Sequence, residues 1–312
     1  MIEAYNLTKY YGDFLAIEDV SFKVGKGQIV GFLGPNGSGK TTTMRILTGF
    51  MPPSSGTAKV ADHDILEESL EARRKVGYLP ETVPLYTDMT VRSYLDFQGT
   101  LRGMTKKRMR TRLDDVIDVC RLGDYRDTII GKLSKGFRQR VGIAQAILHE
   151  PDVLILDEPT IGIDPRQVVE TRQLIKGLGK EHTLLLSTHI LPEVSMVCEQ
   201  VIVNNDGRIV AVDKPENLSA RLRGSEQLRM EVRGPSKDVL TRMRSVKGVR
   251  EVKWTPGVGD RNGYTIEAQP GLDLREEMAR LVVNSGWGLQ GLQTGGLSLE
   301  EIFLKLTTKE EL

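Results

Sequence analysis

The chain has 312 residues, with 43 basic and 42 acidic side chains and a formal net charge of +1 at pH 7. That length suits two domains better than one, and the near-balance of charge argues against the strongly basic surface of a dedicated nucleic-acid binder. The two cysteines, Cys120 and Cys198, are far apart and in no metal-ligand spacing, so they read as structural thiols in a reducing compartment.

The opening MIEAYNLTKYYG lacks the basic-then-apolar pattern of a secretory signal. No apolar run approaches the roughly 20 residues that cross a bilayer. The expectation is a soluble, cytoplasmic chain that would serve a membrane process only by docking on another protein.

The first buried strand is QIVGFLG, followed at once by GPNGSGKT, Gly34 to Thr41, and then by the helical stretch TTTMRILTG. This is G-x-x-x-x-G-K-[ST] in full, between the strand and the helix that its mechanism needs. Successive backbone N–H groups at such a loop form an anion cradle for phosphates. Gly34, Gly37 and Gly39 permit the dihedrals and close approach that a Cβ would block. Lys40 can reach β- and γ-phosphates, and the Thr41 hydroxyl can ligate Mg²⁺. Pro35, Asn36, Ser38 and Thr42 complete the candidate phosphate-binding stretch.

From about 88 to 130 the strand signal vanishes, and VRSYLDFQGTLRG and RLDDVIDVCRL read as two helices of a subdomain inserted at about 85–150. GKLSKGFRQR then leads a basic stretch into an apolar helix. VLILDEPT, residues 153–160, ends a buried strand on two adjacent carboxylates. One can face a metal and its waters while the other faces an attacking water. Asp157 is assigned to the metal shell and Glu158 to the general base. TLLLST and VIVNN are further compact strands, so residues 1–220 predict a mostly parallel sheet covered by helices, with an antiparallel β portion.

Beyond DKPENLSARLRGSE the character changes. QLRMEVRG alternates Leu228, Met230 and Val232 on one face. A helix from Ser236 groups Val239, Leu240 and Met243, and GVREVKW and GYTIEAQ read as strands. A second helix lines up Leu274, Met278, Leu281 and Val282. WGLQGLQT and SLEEIFLKLT read as a last strand and a last helix. The β-α-β-β-α-β order predicts a small ferredoxin-like α+β domain over 225–312.

Taken together, these motifs resemble the ATP-binding subunits of ABC transporters, P-loop NTPases, over about residues 1–220. LSKGFRQR resembles the family signature LSGGQ with its basic helix start, IGIDP the D-loop, and LLLSTHIL the strand bearing the switch histidine. The resemblance implies ATP and Mg²⁺ as cofactors and ATP hydrolysis as the activity. It implies that Tyr11, in KYYG, stacks on adenine, with the adjacent Tyr10 as the alternative. It implies that His189 contacts the γ-phosphate and holds the attacking water with Glu158, and that Asp164 lies at a dimer interface. Ser134, Lys135 and Gly136 would belong to the half-site that closes over the partner's γ-phosphate. His63, His149 and His182 match no motif and read as surface or packing residues.

Two departures stand out. Glu81, in VGYLPETVP, replaces a family glutamine that touches Mg²⁺ beside the membrane-subunit contact. Lys135 and Phe137 replace a glycine and the glutamine of the signature. Similar replacements, with YLPE and a C-terminal SLEEIF-type helix, occur in a bacterial exporter subgroup that includes ATPases linked to gliding motility and to copper-site maturation of nitrous oxide reductase. The implied partners are integral membrane transporter subunits and a second ATP-binding subunit, identical or related, with no nucleic acid. The implied location is peripheral, on the inner face of the cell membrane. The alternative, an ABC ATPase of DNA repair or translation, usually carries two nucleotide modules or a long coiled coil, and this chain has one motif set and no sustained heptads.

Overall fold

The computed structural model describes residues 1–215, 217, 227–257, 259–269 and 272–295, and divides into two compact units, Met1–Pro215 and Glu216–Leu312. The first unit begins with two long antiparallel strands, β1 (Ile2–Tyr11) and β2 (Phe14–Val24), which the sequence reading did not single out. Alternate residues of both strands are buried, including Ile2, Ala4, Ile17, Val20, Phe22 and Val24, which fits a sheet with one face on the core and one in water. Next come β3 (Ile29–Leu33), α1 (Lys40–Leu47), β4 (Ser55–Val60) and β5 (His63–Asp64). β2, β1, β4 and β5 form a four-stranded sheet, antiparallel throughout.

The chain continues through α2 (Ser69–Arg74), β6 (Val76–Leu79), α3 (Val91–Leu101), α4 (Lys106–Val119) and α5 (Lys135–Ile147). These last three helices form the expected helical insertion. Thr90, Thr105 and Ser134 start them by accepting a backbone N–H with a side-chain oxygen, the ordinary N-cap role of a hydroxyl. α4 begins well before the predicted RLDDVIDVCRL, because Thr105 caps it at Lys106. Then follow β7 (Val153–Asp157), α6 (Pro165–Leu178), β8 (Thr183–Thr188), α7 (Leu191–Val197), β9 (Gln200–Asn205) and β10 (Arg208–Asp213).

β10-β9-β3-β8-β7-β6 make the main sheet, parallel except for the β9–β10 pair. β3, β7 and β8 are buried at every position, as strands covered on both faces must be. Phe22 and Phe32, ring centroids 5.5 Å apart, join the antiparallel sheet to the main one within a single core.

The second unit runs β11 (Gln227–Arg233), α8 (Ser236–Arg244), β12 (Val249–Pro256), β13 (Arg261–Ala268), α9 (Arg275–Asn284) and β14 (Gly288–Gly295). Its antiparallel sheet has the order β12-β13-β11-β14. Leu228, Met230, Val232, Val239, Met243, Met278 and Val282 meet in one core with Tyr264 and Ile266. The SLEEIFLKLT helix expected at the end lies outside the described residues.

His149 packs beside the β6 edge, its Nε2 donating to the Val76 carbonyl at 3.1 Å. Burial, helped by the charge of Arg102, pushes its pKa down to about 4 from 6.5. The folded chain thus binds fewer protons here than the unfolded chain below pH 6.5, so stability is complete above that pH and falls towards pH 4. The loss expected from this group is up to about 3 kcal/mol. Denaturant unfolding across that window should show a shallower pH dependence for His149→Gln than for the native chain.

Candidate functional site

The phosphate loop leaves the C-terminal end of β3 and turns directly into α1. Gly34 N–H donates to the Thr188 carbonyl at 3.3 Å, and Ser38 N–H to the Pro35 carbonyl at 3.2 Å. Asn204 at the end of β9 holds the Ser38 carbonyl through its side-chain amide, and Gly207 N–H donates to the same carbonyl at 3.1 Å. Gly39 has φ +95°, and a Cβ there would come within 2.4 Å of Ile17 Cγ2 and 2.6 Å of the Ala16 carbonyl oxygen. Only glycine meets both demands. α1 has no side-chain N-cap, so the N–H groups of its first turn remain available to an anion.

Lys40 is 6% exposed and turns back into the loop. Its Nζ donates to the carbonyls of Gly34 at 2.9 Å and Pro35 at 3.1 Å, and lies 3.4 Å from Glu158 Oε1. A phosphate in the cradle would compete for this ammonium.

The parallel register fixes the opposite wall. Asp157 pairs with Ser187 across β7–β8, and Leu33 with Thr188 across β3–β8. Asp157 is fully buried, and its Oδ1 accepts from Ser187 Oγ at 2.5 Å while Oδ2 is buried with no partner. Burial raises its carboxyl above the usual range, with the Ser187 and Thr41 hydroxyls opposing and Glu158 and Glu81 pushing the same way as burial. Glu158 follows at φ +48°, an unusual backbone region for a side-chain-bearing residue. Its N–H donates to Ser187 O at 3.2 Å and Ser187 Oγ at 3.1 Å. His189, one step beyond β8, places Nδ1 3.0 Å from Glu158 Oε2 and 3.1 Å from Oε1.

Lys40 and Glu158 border a cavity of 440 Å³ whose lining also includes Tyr11, Phe14, Asn36 and Glu81, with Gly37, Gly39, Thr41, Thr42, Ala16 and Ile161 completing it. Asp157 and His189, like Gly34, Pro35 and Ser38, are not among the residues that line this cavity. Tyr11, not Tyr10, lines it, half-exposed and donating its hydroxyl to Met51 Sδ at 3.1 Å. Phe14, 64% exposed on the same rim, is a second flat apolar surface that the sequence reading missed. Its place at the start of β2 in a GDFLA stretch is the signal that could have found it.

Among the described residues, no cluster of three or more His, Cys, Asp or Glu side chains could hold a metal by itself. The unpartnered Oδ2 of Asp157, the Thr41 hydroxyl and the exposed Glu81 nevertheless fit Mg²⁺, which typically takes one or two protein oxygens and completes its shell with phosphates and water.

Ser134, Lys135, Gly136 and Asp164 are not among the residues lining this cavity. Ser134 caps α5, its Oγ 3.4 Å from Gln167 Nε2, and Asp164 caps α6 by accepting from Arg166 and Gln167 N–H groups at 3.1 and 3.0 Å. A Cβ on Gly136 would come 1.5 Å from Gln167 Oε1, so the amide end of Gln167 lies directly over this turn. The Phe137 ring packs 4.1 Å from that of Tyr125, with the Arg140 guanidinium 5.2 Å from its centroid. Arg140, almost fully buried, is paired with Glu170 of α6.

Comparison with known proteins agrees with this geometry. A family model described as ABC transporter matches residues 17–161. The linearmycin resistance ATP-binding protein LnrL of Bacillus subtilis is 32% identical over 253 residues, 81% of this chain and 81% of the relative. The Nod factor export ATP-binding protein I of Cupriavidus metallidurans is 32% identical over 317 aligned positions, 99% of this chain and 98% of the relative. A solved bacterial ABC transporter cassette, described as dimeric, superposes with a TM-score of 0.63 at 25% identity, covering 69% of this chain and 99% of that one. With the phosphate loop and Glu158 lining one cavity, His189 in contact with that glutamate, and relatives 32% identical over 81% and 99% of its length, the chain belongs to the ABC transporter family as one of its ATP-binding ATPase subunits.

Proposed function

We propose that Glu158 is the general base, that His189 orients it and the attacking water, and that Lys40 and the loop N–H groups hold the β- and γ-phosphates. The observation that carries this reading is the contact of His189 Nδ1 with both Glu158 oxygens, 3.0–3.1 Å, beside Lys40 Nζ at 3.4 Å. A carboxylate so placed can take a proton from water while the imidazole fixes its direction. Lys40 exchanges its loop carbonyls for phosphate oxygens and brings its positive charge to where negative charge accumulates in transfer. Tyr11 stacks against the base, with Phe14 on the same rim.

Mg²⁺, when bound with the nucleotide, would neutralise the charge that develops on the phosphates during transfer. Asp157 and Thr41 would hold it, with Glu81 on the open side. Burial favours the protonated form of Asp157, so metal affinity is expected to rise with pH through the carboxyl's raised pKa.

Ser134, Lys135 and Gly136 lie outside this cavity and would serve a partner's nucleotide, in a head-to-tail dimer of identical or related subunits with Asp164 at its interface. The dimeric cassette that this chain resembles supports that reading. The dimer would drive integral membrane subunits from the inner face of the membrane. Among the described residues no helix is long and apolar enough to cross it. The relative named for Nod factor export favours export as the direction, and neither it nor the relative named for linearmycin resistance is named for DNA repair or translation.

Glu158→Gln should lower ATP turnover by about 10²–10⁴-fold and accumulate an ATP-bound dimer, read by phosphate release and size-exclusion chromatography. Wild-type turnover in that variant would reject the assignment of the base. Asp157→Asn should stabilise the nucleotide-free protein by about 1 kcal/mol, because a buried, under-satisfied carboxylate no longer carries charge. The same variant should lose the Mg²⁺ dependence of ATP binding, measured by calorimetric titration with and without the metal.

A further inference from the structure

Glu193, in α7, is 2% exposed, and neither the phosphate loop nor the cavity lining includes it. Its carboxylate gathers hydrogen bonds from three different elements. Thr160 Oγ1, two residues past Glu158, lies 2.7 Å from Oε1 and 2.8 Å from Oε2. Thr188 Oγ1, immediately before His189, donates to Oε2 at 3.0 Å. Arg172 Nη2 of α6 donates to Oε1 at 3.0 Å. A carboxylate this deep is costly to bury unless such donors satisfy it.

Resting on the catalytic reading above, we propose that Glu193 is a positioning residue for hydrolysis: by tying Thr160 to Thr188 it holds Glu158 and His189 in contact.

The backbone explains why such a clamp is needed. Glu158 sits at φ +48°, which a side-chain-bearing residue keeps only when its surroundings enforce it. Upstream, the β7–β8 register and the Ser187 contacts enforce it. Downstream, the turn from Ile161 N–H to the Glu158 carbonyl, 3.1 Å, is local and weak. Thr160 within that turn is anchored by Glu193. On the facing strand the parallel pairing stops at Thr188, and α7 begins only at Leu191. His189 occupies that gap. The Thr188 hydroxyl donates to Glu193 and accepts from Ile190 N–H at 3.0 Å, bracketing the histidine on both sides. One buried carboxylate thus fixes the segment after the base and the segment around the switch histidine. Through Arg172 it also fixes both relative to α6, whose N-terminus carries Asp164.

The test compares Glu193→Gln, Thr160→Val and Thr160→Ser in the full chain, by steady-state ATP turnover and by titration with a non-hydrolysable ATP analogue. Because an ångström of misplacement suffices to slow a reaction this much, kcat should fall about 10²-fold in Glu193→Gln and Thr160→Val, while KM and analogue affinity change less than about threefold. Thr160→Ser keeps the hydroxyl and should restore near-native turnover. Glu193→Gln should also accumulate the ATP-bound dimer, which a variant that merely loosens the fold would not do. Native turnover in both Glu193→Gln and Thr160→Val, beside an inactive Glu158→Gln, overturns the clamp alone. Native turnover in Glu158→Gln as well overturns the catalytic reading on which the clamp rests. Parallel loss of analogue binding and kcat in Glu193→Gln and Thr160→Val, unrelieved in Thr160→Ser, makes Glu193 a folding residue and also overturns the proposal.

Discussion

The site depends on one constraint, the parallel register of three adjacent strands. β8 lies between β3 and β7, with Leu33 opposite Thr188 and Asp157 opposite Ser187. Those two pairings bring the starts of the phosphate loop, the carboxylate pair and the switch histidine to one edge within hydrogen-bond reach. A shift of a single residue would turn each side chain to the opposite face. The pairs are also what make the edge polar: the ladder ends there, and the next N–H and C=O groups must find partners outside it. Gly34 N–H finds Thr188 O, and Glu158 N–H finds Ser187. The strand ends therefore hold one another in place before any ligand arrives.

The same edge concentrates charge in a nearly water-free setting. Lys40, Asp157 and Glu158 are each at most 6% exposed. Buried charges persist when they are paired or hydrogen-bonded, and here the pairing is incomplete by one oxygen. Glu158 has Lys40 and His189, and Asp157 Oδ1 has Ser187, but Asp157 Oδ2 has no full hydrogen bond, with only the Thr41 hydroxyl acting on that carboxylate besides Ser187. The lysine, for its part, spends two of its three N–H donors on carbonyls of its own loop. Both features describe a site whose polar groups are better satisfied with a polyphosphate than without one.

How much of this was legible in the sequence follows from which signals are local. GPNGSGKT and LILDEPT declare themselves because a phosphate cradle and a buried strand ending in acids need particular residues in consecutive positions. Four strands of the main sheet, QIVGFLG, VLILDEP, TLLLST and VIVNN, were equally plain as compact apolar runs, whereas β6 and β10 were not read. β1 and β2 were not read, since IEAYNLTKYY and FLAIEDVSFKV mix polar and apolar residues, with bulges that interrupt the alternation. Phe14 was passed over with them, because only the hairpin that pairs it with Tyr11 brings the GDFLA stretch to the cavity rim. Glu193 could not be found from spacing either. Its partners lie 33, 21 and 5 residues away, and only the meeting of β7, α6 and β8 brings them to one carboxylate.

The two signature departures can be understood from the packing inside this chain. Phe137 cannot make the polar contacts of a glutamine, yet its ring is held between Tyr125 and Arg140. Arg140 in turn pairs with Glu170, so the aromatic substitution ties the signature helix to α6 through a stacked cation. Lys135 lies on the same seam: a Cβ on Gly162 would come 2.3 Å from its Nζ, so the ammonium rests against the loop that leads to Asp164. The charge therefore sits between the signature turn and the D-loop stretch of its own chain. Gln167, covering Gly136 and reaching Ser134, closes the seam. What the sequence presents as a weakened motif is, in three dimensions, a turn and helix start joined to α6 by Gln167 and by the Arg140–Glu170 pair, with Lys135 against the Gly162 loop and Phe137 on Tyr125.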